Sequence, residues 1–126
     1  MSAKILIVED DYANQQVATL YLKKFGYSSD IAKNGVIGVS LSQENKYGLI
    51  LMDCQMPIMD GFTATKLIRE GNGLSQLTPI IALTANLISG IKEECLECGM
   101  NDILNKPISV TKMKEILVKW FDESAK

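Results

Sequence analysis

Short apolar runs alternate with segments of helical periodicity along most of the chain. The runs are predicted to be β-strands because they are short, rich in Ile, Leu and Val, and bounded by polar or turn-forming residues. The predicted strands are residues 5–8, 28–31, 48–52, 79–83 and 101–104. The run at 48–52 is apolar throughout, which indicates a strand buried on both faces.

Helices are predicted after each strand from apolar positions spaced three and four residues apart. They cover residues 14–25, 62–70, 88–98 and 110–121, and a further helix follows Asn34-Gly35. Gly26 is expected to end the first helix and Ser109 to cap the last. Alternating strands and helices with right-handed crossovers predict an α/β fold, namely a five-stranded parallel sheet built from five βα units with helices on both faces. The length fits a single domain spanning 1–126, with its core at about 4–121.

Polar side chains stand at the ends of four predicted strands. In chain order they are Asp10 and Asp11, Asp53, Thr84 and Lys106. The carboxyl ends of parallel strands share one edge, where open α/β sheets bind ligands. Carboxylate oxygens are the ligands that Mg²⁺ prefers, and a lysine can bind phosphoryl oxygens. The set therefore predicts a divalent cation and a phosphoryl group carried on a carboxylate.

Each of these residues also has an ordinary structural interpretation. Asp53 could cap a helix or accept hydrogen bonds from loop N–H groups, and the acidic run Glu9-Asp10-Asp11 could be a solvated turn. A threonine that ends a strand is weak information by itself. The functional interpretation depends on the four strand ends taken together.

The composition excludes several kinds of chemistry. The chain has no histidine, which rules out Ser-His-Asp and Cys-His catalysis as well as histidine metal sites. The chain also carries no phosphohistidine, so any phosphoryl donor must be another molecule. A net charge of −2 argues against nucleic acid or an anionic membrane as the main partner, since both call for a basic patch.

Targeting signals are not evident in the sequence. Every unbroken apolar stretch is far shorter than the roughly 18 residues of a membrane-spanning helix. The N-terminal segment is too short for a signal peptide. The expected compartment is the cytoplasm, without membrane insertion.

Cys95 and Cys98 form a C-x-x-C pair, a spacing that redox and zinc sites use. The pair precedes Gly99, which predicts a helix C-terminus, where the helix dipole disfavours a thiolate. A structural zinc ion needs four ligands, and Cys54 is the one further cysteine. The pair also continues an apolar series at helical spacing, so we expect small core residues.

The chain resembles the receiver domains of bacterial two-component response regulators over about residues 4–121. The motifs that carry the resemblance are Ile7-Val8-Glu9-Asp10-Asp11, Met52-Asp53-Cys54-Gln55-Met56-Pro57-Ile58-Met59-Asp60-Gly61, Leu83-Thr84-Ala85-Asn86 and Asn105-Lys106-Pro107. The Gln55-Met56-Pro57 variant and the stretch from Gly99 to Ile108 are most similar to receivers fused to hybrid sensor histidine kinases. The sequence does not decide between a free-standing regulator and a domain of such a kinase.

The resemblance implies a phosphoacceptor signalling domain with a flavodoxin-like (βα)5 fold. Asp53 would attack a phosphohistidine on a histidine kinase or a histidine phosphotransfer protein, and the product would serve protein–protein signalling or onward phosphorelay. Asp11, Asp53 and the backbone carbonyl of Gln55 would hold Mg²⁺, with Asp10 acting through a metal-bound water. The domain would catalyse only its own phosphorylation and dephosphorylation, and a monomer is expected.

Further roles follow from the same resemblance. Lys106, Thr84 and the backbone N–H of Ala85 would bind phosphoryl oxygens, and the Lys106–Pro107 bond would be cis. Thr84 would move inward on phosphorylation. The position that usually carries an aromatic switch residue is Ile103, so aromatic gating is not expected.

Two surface features are also inferred from the family. Gln55 and Asn86 are expected to influence the lifetime of the phosphoryl group. An apolar patch beside the acceptor is expected to dock the partner, although several of its members could instead pack inward. The patch comprises Tyr12, Ala13, Val17, Met56, Pro57, Ile58, Met59 and Pro107.

Three other functions are less consistent with the sequence. A degenerate receiver used only for binding would not need the complete set of strand-end residues. A phosphohydrolase with an aspartate nucleophile resembles Asp-x-Asp after the first strand, whereas here Asp53 lies on the third and Gln55 stands where the general acid would be. A flavodoxin-like cofactor binder would need a phosphate-cradling loop after the first strand.

Overall fold

The fold is a parallel sheet covered by helices on both faces. The computed structural model describes residues 3–85 and 90–121. Within them the strands are β1 (Ile5–Val8), β2 (Ser29–Ala32), β3 (Leu49–Asp53), β4 (Ile80–Thr84) and β5 (Asp102–Asn105). They pair in the order β2-β1-β3-β4-β5, and every pairing is parallel. This confirms the predicted sheet.

The helices form two layers against the sheet. They are α1 (Tyr12–Lys24), α2 (Gly35–Glu44), α3 (Gly61–Glu70), α4 (Ile91–Cys98) and α5 (Val110–Trp120). Successive residues of the central strands point to opposite faces, and β1, β3 and β4 are buried throughout. One face of the sheet packs on α2, α3 and α4, and the other packs on α1 and α5. Because helices cover both faces, the polar ends of the strands are the part of the sheet that can bind a ligand.

Side-chain caps fix where the helices begin. Asp11 accepts a hydrogen bond from the N–H of Asn14 at 2.9 Å, so α1 begins at Tyr12, two residues before the predicted start. Asp60 caps α3 in the same way through Thr63. Ser109 caps α5 as predicted. The predicted start of α4 at Ile88 lies outside the described residues.

The cysteines belong to the core. Cys54, Cys95 and Cys98 are all buried and free, and they lie in the hydrophobic cluster between the sheet and α3 and α4. Burial raises the pKa of each thiol above its ordinary value. This confirms that the C-x-x-C pair consists of small core residues.

Gly61 begins α3 and lies against the backbone at the end of β3. Its N–H donates to the carbonyl oxygen of Cys54 at 3.1 Å. A Cβ at this position would overlap the carbonyl oxygen of Asp53 and lie 3.0 Å from its carbonyl carbon. These are backbone atoms, so they cannot move aside without displacing the acidic strand end.

Replacing Gly61 with Ala is therefore expected to lower the free energy of unfolding by about 3 kcal/mol, near the upper end of the usual range for overpacking. Urea denaturation of the variant measures the loss. Gly71→Ala is the matched control, because the nearest atom to a methyl group there is 3.1 Å away and the next is at 3.8 Å. A loss no larger than that of the control would show that the close approach at Gly61 is easily relaxed.

Candidate active site

One ammonium group bridges two buried carboxylates at the carboxyl edge of the sheet. The Nζ atom of Lys106 lies 2.8 Å from Oε1 of Glu9 and 3.2 Å from Oδ2 of Asp53. Glu9 is 1% exposed and Asp53 is 4% exposed. Two carboxylates at this burial are costly unless a cation lies beside them. The arrangement therefore concentrates negative charge that a single lysine only partly balances.

Burial and ion pairing have opposing effects on the pKa values of Glu9 and Lys106. Burial raises the pKa of Glu9, and its hydrogen bond with Asp53 raises it further. Burial lowers the pKa of Lys106, but the hydrogen bond to Glu9 and the charge of Asp53 outweigh it, so the pKa of Lys106 is raised. Lys106 is thus held as a cation.

A third carboxylate completes an acidic cluster. One oxygen from each of Glu9, Asp10 and Asp53 lies within 4.8 Å of the other two. Asp10 is exposed, so solvent and a hydrated cation can reach the cluster from its side. Mg²⁺ favours oxygen ligands from one or two carboxylates together with water. The donor set therefore fits Mg²⁺.

Asp11 does not join this cluster, contrary to the expectation that it would be a direct Mg²⁺ ligand. It is exposed, and its Oδ2 atom accepts the N–H of Asn14 at the start of α1. Asp11, the third acid of the run, caps the N-terminus of α1, and the first two acids, Glu9 and Asp10, lie beside Asp53 at the sheet edge. Glu9 was not among the predicted site residues. One signal in the sequence did point to the role of Asp11. This residue lies three residues before the predicted start of the helix, where an N-cap residue is expected.

The backbone around the acidic residues is itself held in place. Gln15 is buried on α1, and its Nε2 atom donates to the carbonyl oxygen of Glu9 at 2.8 Å. The N–H of Asp11 donates to Oε2 of Glu9 at 3.2 Å. The N–H of Gln55 donates to Oδ1 of Asp53 at 3.2 Å. These bonds orient both buried carboxylates.

The ends of β4 and β5 bring the remaining site residues together. The N–H of Lys106 donates to the carbonyl oxygen of Thr84 at 2.9 Å, so these two residues are neighbours. Thr84 is buried and Ala85 is exposed. The Lys106–Pro107 peptide bond is cis. Asn86 lies outside the described residues.

Ile103 lies on β5 and is half-buried. Its side chain packs against the cluster between the sheet and α2, α3 and α4. The position that would carry an aromatic switch residue therefore carries an aliphatic side chain that packs against the core.

The predicted docking patch divides into exposed and partly buried members. Tyr12 is 72% exposed and Ile58 is 80% exposed. Ala13, Val17, Pro57 and Pro107 are also exposed. Met56 and Met59 are half-buried and pack against the core. Most of the patch thus faces solvent.

Comparison with protein families gives a clear match. The model of the response regulator receiver domain matches residues 5–118. The chain is 46% identical over 126 residues to hybrid signal transduction histidine kinase B of Dictyostelium discoideum, and the match covers 92% of the chain but 6% of that relative. It is 42% identical over 125 residues to histidine protein kinase 1 of Candida albicans, with 92% of the chain and 5% of that relative covered. The chain thus spans a small part of these curated relatives.

Solved structures agree in fold. The receiver domain of the sensor histidine kinase PA1611 of Pseudomonas aeruginosa, which has magnesium coordinated in its active site cleft, matches with 40% identity and a TM-score of 0.87, covering 95% of this chain and 98% of that one. A chain of the co-crystal structure of the histidine phosphotransfer protein Ypd1 and the receiver domain of Ssk1 from Saccharomyces cerevisiae matches with 31% identity and a TM-score of 0.85, covering 100% and 94%. Within the described segments, no helix combines the length and the apolar character needed to cross a bilayer.

Proposed function

Because the chain belongs to the response regulator receiver family and is a phosphoacceptor signalling domain, we propose that Asp53 is the residue that accepts the phosphoryl group. The observation that carries the proposal is the placement of Asp53 at the end of β3, buried, 3.2 Å from the Lys106 ammonium and beside the exposed Asp10. Nearby carboxylates with a balancing lysine supply both a nucleophile and charge neutralisation, which are the requirements of phosphoryl transfer.

The proposed reaction is a transfer from nitrogen to oxygen. A carboxylate oxygen of Asp53 attacks the phosphorus of a phosphohistidine on the partner. The P–N bond breaks, the imidazole leaves and takes up a proton, and an acyl phosphate forms on Asp53. Lys106, the Thr84 hydroxyl and the N–H of Ala85 are proposed to bind the phosphoryl oxygens.

Mg²⁺ is the proposed cofactor. Asp10, Asp53 and the backbone carbonyl of Gln55 would hold it, with Glu9 adding negative charge, since the Asp11 side chain is used as a helix cap. When bound, Mg²⁺ supplies neutralisation of the phosphoryl oxygens. The receiver with magnesium in its cleft supports this assignment by similarity.

We propose one receiver domain over residues 1–126, with its core at about 4–121, acting in the cytoplasm as a monomer. It would catalyse only its own phosphorylation and loss of the phosphoryl group.

Gln55 stands two residues after Asp53, where an aspartate-dependent phosphohydrolase would carry its general acid, so turnover of small phosphate esters is expected to be negligible. Gln55 and Asn86 are proposed to set the phosphoryl lifetime.

The proposed switch begins with Thr84. The added phosphoryl oxygens draw its hydroxyl inward and the loop after β4 follows. Because Ile103 cannot act as an aromatic gate, we expect either a modest conformational change or a change that is reported by that loop itself. The output would be protein–protein binding or onward transfer to a histidine phosphotransfer protein.

The test uses the protein with acetyl phosphate and with beryllofluoride, each with and without Mg²⁺. Intact mass and peptide mapping report the adduct, and amide NMR shifts report the response to the analogue. The proposal expects a Mg²⁺-dependent adduct on Asp53 and shifts around Thr84 and Lys106. No adduct and no shift from folded protein at saturating Mg²⁺ would instead indicate a degenerate receiver.

A partner is proposed to dock on the rim formed by Tyr12, Pro107 and the loop after β3. Tyr12→Ala is expected to slow transfer from a histidine phosphotransfer protein by roughly tenfold, the scale of a moderate interface contact. The rate with acetyl phosphate should stay unchanged. Quenched phosphotransfer assays measure the rates with the histidine phosphotransfer protein and with acetyl phosphate. Equal slowing with both donors would argue against docking at this rim.

A further inference from the structure

The carbonyl oxygen of Glu9 lies just beyond the last paired residue of β1. The parallel pairings of β1 end at Val8, and the N–H of Glu9 donates once more to the neighbouring strand, to the carbonyl oxygen of Ala32 at 3.0 Å. The carbonyl oxygen of Glu9 instead accepts a hydrogen bond from a side chain, since Nε2 of Gln15 donates to it at 2.8 Å. A buried carbonyl oxygen without a donor is costly. Gln15 therefore supplies the donor at the point where the sheet ends.

The amide group of Gln15 extends from a fixed position on α1. Gln15 is 8% exposed, and its N–H donates to the carbonyl oxygen of Asp11 at 3.0 Å in the first turn of the helix. Its own carbonyl oxygen accepts a hydrogen bond from Oγ1 of Thr19 at 2.8 Å. The side chain of Gln15 thus joins helical backbone to the strand end, across the turn that contains the acidic run.

The hydrogen bond acts on the peptide unit that leads into Asp10. The carbonyl group of Glu9 and the N–H of Asp10 belong to one planar peptide, so holding the oxygen also fixes the direction in which the Asp10 backbone starts. Asp10 is exposed, whereas Glu9 and Asp53 are buried, so packing restrains the Asp10 side chain least. One of its oxygens nevertheless lies within 4.8 Å of oxygens of both other acids. The orientation of this peptide therefore governs whether the exposed carboxylate stays beside the two buried ones.

We propose that Gln15 is a positioning residue for divalent-cation binding. Its amide holds the Glu9–Asp10 peptide in the orientation that keeps the Asp10 carboxylate beside Asp53, and it acts through the backbone rather than on the cation. The inference rests on the proposed function. A carboxylate that is already oriented loses less conformational freedom when a cation binds. The hydrogen bond should therefore contribute to Mg²⁺ affinity more than to the rate of the loaded site.

The test removes the donor and keeps the volume. Gln15→Met has a side chain of similar length that packs in the same space, but it has no N–H group. Its Kd for Mg²⁺, measured by calorimetric titration of the folded protein, is expected to rise roughly fivefold, the scale of one lost hydrogen bond. With acetyl phosphate, the Mg²⁺ concentration that gives half the maximal rate should rise by the same factor. The rate at saturating Mg²⁺ should change by less than about twofold.

A second readout needs no metal. The amide NMR signal of Asp10 in the metal-free protein reports on the peptide that Gln15 holds, so it should shift in Gln15→Met. Gln15→Asn is a second variant, because its amide is one methylene shorter and does not reach the carbonyl oxygen of Glu9. It should reproduce the weaker Mg²⁺ binding even if Gln15→Met fails to fold.

The matched control is Thr19→Val on the same helix. The hydroxyl of Thr19 donates to the backbone of Gln15, and valine has nearly the same shape as threonine. This variant loses one hydrogen bond of α1 but leaves the Gln15 amide on the carbonyl oxygen of Glu9. Its Mg²⁺ affinity and its Asp10 signal should match those of wild type.

The contrary outcomes are distinct. Folded Gln15→Met and Gln15→Asn proteins that bind Mg²⁺ as tightly as wild type would overturn the positioning role. An equal loss of affinity in Thr19→Val would also overturn it, because a general loosening of α1 would then explain both results. Wild-type protein that neither binds Mg²⁺ nor forms the adduct would overturn the proposed function on which the inference rests.

Discussion

Replacing Asp53 with Asn should abolish the Mg²⁺-dependent phosphoryl adduct while leaving the fold intact. An amide has no anionic oxygen to attack phosphorus and cannot form an acyl phosphate. The fold should survive because Lys106 keeps Glu9 at 2.8 Å as an ion-pair partner. The site then contains one cation and one buried carboxylate, which is electrostatically balanced.

The measurement is intact mass after incubation with acetyl phosphate, with thermal unfolding as a check of the fold. Asp60→Asn is the matched control: Asp60 is exposed and caps α3 through Thr63, and Asn is an equally good cap. That variant should form the adduct as wild type does. An adduct on folded Asp53→Asn protein would place the phosphoryl group on another residue.

Replacing Lys106 with Met should destabilise the metal-free protein and strengthen Mg²⁺ binding. Glu9 and Asp53 would face each other without a cation, and removing one partner of a buried ion pair costs about 3 kcal/mol or more. Mg²⁺ no longer competes with the ammonium for Asp53, so its Kd should fall roughly tenfold. Added Mg²⁺ should therefore restore more stability to the variant than it gives to wild type.

Urea unfolding with and without Mg²⁺, together with calorimetric titration, measures both effects. Lys112→Met is the control, because Lys112 is exposed and pairs with Glu115 only at 3.7 Å on the surface of α5, where ion pairs contribute little. If metal-free Lys106→Met protein were as stable as wild type, the carboxylates would not depend on the lysine.

The sequence predicted the succession of strands and helices along the chain and the bounds of β1, but it placed the ends of the other four strands one residue short. The predicted runs stop before Asp53, Thr84 and Asn105, yet these residues still pair, Asp53 with Leu83 and Thr84 with Asn105. Hydrophobic patterning follows side chains, whereas ladders depend on backbone hydrogen bonds that polar residues make equally well. The side chains of Asp53 and Thr84 therefore project from the sheet itself, whereas Glu9, Asp10 and Lys106 follow directly after their strands.

The acidic run shows what patterning cannot resolve. Three consecutive acids were recognised as a candidate site, but the choice among them depends on where β1 ends and where α1 begins. Asp11 satisfies the helix N-terminus, and Glu9 is drawn inward by Lys106 from the far end of the chain. That second contact is non-local, so the sequence around residue 9 carries no trace of it. The φ of 75° at Ile58 was equally unpredictable, because isoleucine gives no local signal for a positive φ.

Burial of every native thiol offers a simple route to labelling. Alkylating reagents attack the thiolate, and burial both shields Cys54, Cys95 and Cys98 and raises their pKa. A cysteine introduced at an exposed helical position such as Val118, which is 80% exposed, would be the single reactive thiol on the folded domain. A fluorophore or spin label can therefore be attached at a chosen position without removing the native cysteines and leaving cavities in the core.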